Sequence, residues 1–242
     1  MQHRAGAHRQ NDPMRRPRML CVVAVTAALV GMTGCTSTVS GSALKKTPSA
    51  EENKLEKIML PIEELKAIAG ADNLAFTSKS ADLNNNFWRI RDEKCLGALF
   101  PAERLVYLFS YWDAVRTQVA QDPDSDHRHW VQQAAVLLMS EDEARSTLDG
   151  SKKWWGKCAG SEVSLREKTG DETSDRTWRI GDLVVDGDLI TQTTTRSGSD
   201  GWACQRAQSV VGKMAVDAKV CGYQIQDQAA TIVSKLVANA QR

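Results

Sequence analysis

Cys204 and Cys221 constrain what this chain can fold into more than any other pair of residues. They close the stretch WACQRAQSVVGKMAVDAKVC, residues 202–221. Folded about Gly212-Lys213 as a two-residue turn, the stretch sets Val211 opposite Met214 and, seven steps further out, Cys204 opposite Cys221. Glycine at the first central position suits a type II′ hairpin turn. The pair flanking such a turn is hydrogen-bonded and opposed pairs alternate, so an odd offset makes Cys204/Cys221 a closer, non-hydrogen-bonded pair. At that spacing a cross-strand disulfide needs little distortion. The pattern therefore predicts an antiparallel hairpin stapled in an oxidising compartment.

An oxidising compartment requires export, and the N-terminus has the layout for it. Arg15, Arg16 and Arg18 precede the uncharged run MLCVVAVTAALV and then GMTGC. The run is shorter than the roughly 20 residues of a membrane span and reads as a secretory signal. Met32-Thr33-Gly34-Cys35 resembles a bacterial lipobox, which implies cleavage before Cys35 and lipidation of its thiol. Each buried methylene of an acyl chain contributes about 0.8 kcal/mol to membrane binding. The expected organisation is a signal peptide over 1–34, a Ser/Thr/Gly-rich tether over 35–52 and a folded domain over 53–242, on the outer face of the cell membrane. The whole chain carries a net charge of +1 and residues 1–34 carry +4, so the remainder is at −3. A mildly acidic mature chain argues against nucleic acid as a partner.

The remaining cysteines then make an even set. Cys21 leaves with the signal and Cys35 takes lipid, leaving Cys95, Cys158, Cys204 and Cys221. Three connectivities are possible. The hairpin register selects Cys204-Cys221 and leaves Cys95-Cys158. No Cys-x-x-Cys pair exists to support a zinc site, and no metal or cofactor is expected.

Periodicity predicts the rest. Apolar residues recur at helical spacing from Leu55 to Ala69, which predicts one helix with Pro61 as its candidate break and Gly70 as its stop. A short helix is expected around Cys95, ended by Pro101. Leu105–Ala120 and Trp130–Met139 read as two strands joined by the loop DPDSDHRH. Ser140 and Glu143 form a capping box before a helix whose Ala144, Leu148, Ser151, Trp155 and Cys158 share one face. Two more strands flank Asp186-Gly187, the cysteine hairpin follows, and Asp227 opens a last helix. The expectation is one α+β domain, an antiparallel sheet of about six strands with helices packed on it and two disulfides.

These residues carry a family likeness. Cys95 with Ala98, the VYLFSYWDAVRTQ stretch, Gln133-Ala-Ala-Val, Trp155 before Cys158, and Trp202-Ala-Cys-Gln-Arg-Ala followed by Val216-Asp and Cys221 resemble the extracellular sensor domain of PknH-type receptor Ser/Thr kinases of mycobacteria. That domain also occurs on lipoproteins without a kinase. The resemblance, over about residues 55–240, implies an antiparallel sheet, two intramolecular disulfides and a cleft for an unidentified ligand. Phe109-Ser110-Tyr111-Trp112 stands where members tend to have Ser-Gly-Trp, and Gly212-Lys213 where two asparagines are common.

A kinase activity is not expected, because the chain has no glycine-rich phosphate loop and no His-Arg-Asp or Asp-Phe-Gly segment. Gly-x-Ser-x-Gly is absent too, and the two histidines outside the signal, His127 and His129, sit in one charged loop. The alternating Asp122, Asp124 and Asp126 of that loop lack the glycine and glutamate of an EF-hand. The function expected is a non-catalytic sensor that binds a small molecule or envelope component; the alternative is a docking module for another envelope protein. Arg206 shares side-chain parity with Cys204, and an always-charged guanidinium suits an anionic or carbohydrate-like ligand. Arg116, Gln133 and Trp112 are the expected companions, two hydrogen-bonding groups and a flat apolar wall. The competing expectation for Arg206 is a diagonal ion pair with Asp217 under a helix.

Overall fold

The computed structural model describes residues 49–123, 128–169 and 172–242. The signal, Cys35, nearly all of the tether and Asp124 to His127 of the acidic loop lie outside the described residues.

The domain opens at Ser49, whose hydroxyl accepts from Glu52 N while the Glu52 carboxylate accepts from Ser49 N, a complete capping box for α1 (Ala50–Ile58). The single helix expected is two: Pro61, its candidate break, is the N-cap of a second helix, α2 (Ile62–Ala69), which stops at the left-handed Gly70. After β1 (Ala75–Ser80) come two single turns of 3-10 helix, Phe87–Arg89 and Glu93–Cys95, and α3 (Leu96–Leu99). Then follow β2 (Trp112–Gln121), β3 (Trp130–Leu138), α4 (Glu141–Cys158), β4 (Glu162–Thr169), β5 (Glu172–Asp186) and β6 (Leu189–Arg196). The cysteine hairpin is β7 (Ala203–Val211) and β8 (Met214–Gly222), and α5 (Gln228–Ala240) closes the chain.

The strands form one antiparallel sheet in the order β1-β2-β3-β8-β7-β6-β5-β4. Eight strands replace the six expected, and the two missed, β1 and β4, are its edges. Edge strands are kept charged and polar against further pairing. Ala75–Ser80 accordingly shows no buried alternation, and Glu162–Thr169 carries four charged residues. Leu105–Tyr111 is not strand either. Its Val106, Tyr107 and Ser110 amides donate to the carbonyls of Glu103, Arg104 and Tyr107, so the residues coil into turns and β2 begins only at Trp112.

The hairpin has the register its turn dictates. Val211 pairs with Met214 and Cys204 with Cys221, and of the two turn residues only Gly212 has positive φ, at 53°. Both disulfides are present, Cys204-Cys221 and Cys95-Cys158. α4 brings Cys158 in on the face that also buries Ala144, Leu148, Ser151 and Trp155.

Helices cover the sheet on both faces. On one, Leu55, Ile58, Leu65, Ile232 and Leu236 of α1, α2 and α5 pack against Val131, Ala135, Val216 and Val220. On the other, Leu96 and Leu99 of α3 and Leu148 and Trp155 of α4 pack with Ile180, Ile190 and both disulfides. The central strands β3, β7 and β8 are consequently buried almost throughout.

Candidate functional site

Strand parity separates the four residues expected to line a cleft. Arg116 and Gln133 point to the face covered by α1, where Arg116 Nε lies 2.9 Å from Glu56 Oε2. Gln133 is completely buried; its Oε1 accepts from Leu60 N at 3.0 Å, and its Nε2 donates to Leu60 O at 2.8 Å and to Gln118 Oε1 at 3.0 Å. Trp112 is half-exposed at the start of β2, paired with Leu138. Arg206 points to the opposite face, under α4. Its Nε donates to Asp217 Oδ1 at 3.1 Å and its Nη2 to Asp217 Oδ2, with the guanidinium 4.5 Å above the Trp155 ring. The diagonal ion pair under a helix is the arrangement found; Arg116 and Gln133 share the other face, linked through Gln118 and Glu56, and so lie on the opposite side of the sheet from Arg206.

Around that pair lies a buried charged layer on β7 and β8. Asp217 accepts a further bond from Ala102 N at 3.1 Å, and Ala102 holds a positive φ of 44°, a conformation that costs a non-glycine residue about 1–2 kcal/mol. Burial raises the Asp217 carboxyl above its ordinary value, while the Arg206 guanidinium and backbone donors pull it down. Glu103 is raised for the same reason, opposed by its bonds from Asn86. Lys219, directly across the hairpin from Arg206, donates from Nζ to Leu99 O at 2.8 Å within an aromatic box of Phe100, Trp130 and Trp178. Burial, reinforced by the positive charges of Arg89 and Arg206, lowers its pKa to about 7. The sequence reading passed over Lys219 and Glu103. For Lys219 the signal was there, since Asp217, Lys219 and Cys221 share parity on one strand and so had to face the same core.

An open groove of about 390 Å³ lies at the end of the sheet, just past the Cys204-Cys221 bridge. Ala67 and Ile68 of α2 and Ile225 form its apolar side; Arg128, His129, Tyr223, Gln224 and Gln228 bring polar groups. The β3–β8 register carries its floor, because Trp130 pairs with Cys221 and His129 and Gly222 follow on either strand. Gly222 lets the walls approach closely: a Cβ would come within 3.3 Å of Arg128 O and 3.4 Å of Ile225 Cδ1, which would have to give by a few tenths of an ångström. His129 Nδ1 is tied to Asp122 Oδ2 at 2.9 Å, and Tyr223 packs edge-on against Trp202, ring centres 5.2 Å apart. None of these lining residues was singled out for a ligand from the sequence. They come from three separate loops and helix ends, and only the fold brings them together. A second concavity, about 150 Å³ between Trp88, Arg89, Arg166 and Asp175, is too small for most ligands. Among the described residues no cluster of His, Cys, Asp and Glu could hold a metal ion, and no helix is long and apolar enough to cross a membrane.

An antiparallel sheet with helices on both faces, stapled twice by disulfides and open to solvent in a groove at one end, is an α+β domain of the kind stable in an oxidising compartment. The family model of the PknH-like extracellular domain matches residues 50–239, and the chain belongs to that family. It is 31% identical over 190 residues to the serine/threonine-protein kinase PknH of Mycobacterium bovis, an overlap covering 78% of this chain and 31% of that protein. PknH of Mycobacterium tuberculosis strain CDC 1551 is also 31% identical, with 30% of that protein covered. The crystal structure of the extracellular domain of PknH from Mycobacterium tuberculosis superposes with a TM-score of 0.72 at 29% identity, covering 81% of this chain and 98% of that one. The chain thus spans about a third of the length of these kinases, over their extracellular part.

Proposed function

We propose that this protein is a lipid-anchored extracytoplasmic sensor that binds a small ligand in the groove beside the Cys204-Cys221 bridge and catalyses no reaction. The observation that carries the reading is the groove itself. At about 390 Å³ it falls within the range of small-molecule sites, with an apolar side and a few polar groups to fix orientation. Its walls stand on the stapled hairpin and on helix ends, so ligand binding needs little reordering of the backbone. The charged layer under α4 fits a structural role better, since Arg206, Asp217 and Glu103 are each no more than 2% exposed.

The mixed lining favours a ligand with one apolar flank and several hydrogen-bonding groups, and Arg128 favours a negative charge at its rim. The anchor is Cys35, from the lipobox resemblance, which together with the family's extracellular character supports a position outside the cytoplasmic membrane.

Native mass spectrometry of protein purified from its own envelope tests the binding reading. A retained small molecule, lost in Tyr223→Ala and Arg128→Ala at unchanged melting temperature, is the expected result. Equal retention in both variants overturns the assignment of the groove. Detergent-phase partitioning of wild type against Cys35→Ala tests the anchor separately; soluble behaviour of both overturns it.

A further inference from the structure

The turns between α3 and β2 turn apolar side chains outward on a built support. Phe109 is 94% exposed, Tyr111 75% and Leu108 57%, with Leu105, Trp112 and Met139 also open to solvent beside them. The loop is braced: Tyr107 is buried beneath it, Ser110 Oγ lies 3.4 Å from Thr147 Oγ1 of α4, and Met139 N donates to Tyr111 O at 3.0 Å. A braced turn that presents Leu108, Phe109, Tyr111 and Trp112 together to solvent is the kind of apolar cluster that marks an interaction site.

We propose that this loop inserts into the outer surface of the bilayer to which the protein is anchored. The inference rests on the lipid-anchored reading of Cys35, because the chain between anchor and domain decides what the loop can meet. Residues 36–48 span at most roughly 45 Å fully extended. They join α1 at Ser49. From there Glu56 reaches Arg116 on β2, four residues, about 13 Å of strand, from Trp112. A domain tied to lipid by so short a link meets the bilayer in what is effectively an intramolecular event.

The chemistry favours lipid over a folded partner. Aliphatic and phenyl groups at the tip with tyrosine and tryptophan behind them match the depth profile of a membrane interface. A phenyl ring 94% exposed at the tip suits a fluid surface that closes around it, whereas a protein partner would need a matching pocket. The charges flanking the loop and Met139 along the chain, Asp113, Glu141 and Asp142 against Arg104 and Arg145, and Lys213, whose carbonyl accepts from Leu138 N, balance one another, so the attraction is apolar and does not need anionic lipid. The ligand groove lies at the other end of β2 and β3, past Gln121 and Trp130. A domain seated on this loop leaves the groove facing away from the membrane.

Vesicle flotation of the unacylated full chain, Cys35→Ala, separates this inference from the anchor. With phosphatidylcholine vesicles it is expected to co-float weakly, and Leu108→Asp/Phe109→Asp in that background should reduce the bound fraction at least tenfold with an unchanged melting temperature. The same loss in vesicles containing phosphatidylglycerol, without tighter binding of the parent, is also expected. Equal flotation of parent and variant, or none by either, overturns the proposal. Self-association of the parent, abolished by the variant without any vesicle binding, overturns it in favour of a second copy as the occupant. Failure of wild type to partition into detergent removes the anchor while leaving the loop's own vesicle affinity as measured.

Discussion

Lys219 sits in its aromatic box at an energetic disadvantage, and pH should expose it. Its pKa in the folded protein is about 7, against about 10.4 in an unfolded chain. Between those values the unfolded state binds more protons, so this group makes stability rise as pH rises from about 7 to about 10 and penalises the fold fully below about 7. Asp217 and Glu103, both raised by burial, act with the opposite slope at lower pH, so a difference measurement is needed. Thermal melts from pH 6 to 9.5 should show the wild type gaining on Lys219→Met at acid pH's expense, with Lys219→Met the more stable of the two at pH 6; parallel curves would show that Lys219 is not depressed. Arg206 and Asp217 behave differently because each neutralises the other's charge. Asp217→Asn leaves a buried guanidinium facing a neutral amide and should cost about 3–5 kcal/mol in urea unfolding, whereas Arg206→Met/Asp217→Leu together should recover most of it. Equal losses in single and double variants would mean that packing on Trp155, not charge, holds the site.

At the scale of elements, two joints carry the domain. Gln133 clasps the backbone of Leu60 through both its amide atoms, fixing the break between α1 and α2 to the middle of the sheet. Gln133→Ala leaves the Leu60 N–H and C=O buried without partners and should cost about 2–3 kcal/mol, with amide exchange accelerating first in α1. Uniform acceleration over the sheet would contradict that local role. Pro61 announced the joint and nothing announced its clasp, since a glutamine on an apolar strand reads equally as a ligand group. The stapled hairpin is the second joint. Its closed loop is short, 17 residues of separation against 63 for Cys95-Cys158. Removing Cys204-Cys221 as the double serine variant should therefore cost about 3 kcal/mol, and removing Cys95-Cys158 about 4. Chemical denaturation of the two variants gives the order; a reversed order would place the hairpin bridge's contribution in the native state.

For the whole molecule, the legible parts were those governed by neighbours in sequence. Turn chemistry at Gly212-Lys213 dictates the pairing that brings Cys204 to Cys221, and the 4-3-4-3 spacing in α4 turns Trp155 and Cys158 inward, because hairpin register and helical periodicity are local properties of the backbone. The family likeness was likewise carried by short segments around those cysteines. Edge strands were not legible: β1 shows no buried alternation, and in β4 only Val163 and Leu165 alternate inward before the charged Arg166-Glu167-Lys168, a run too short to declare a strand. Nor was the groove, whose residues are drawn from α2, the β2–β3 loop and the segment before α5. Parity along β7 put Arg206 on the face of Cys204, but whether that face was open or roofed depended on where α4 came to rest. By itself the sequence determined the hairpin, the disulfide pairing and the helix faces, all set by interactions a few residues or one turn apart. Only the tertiary structure decided which polar residues were closed into the core and which lined a surface, because burial depends on the elements that pack across from a residue and not on its own segment.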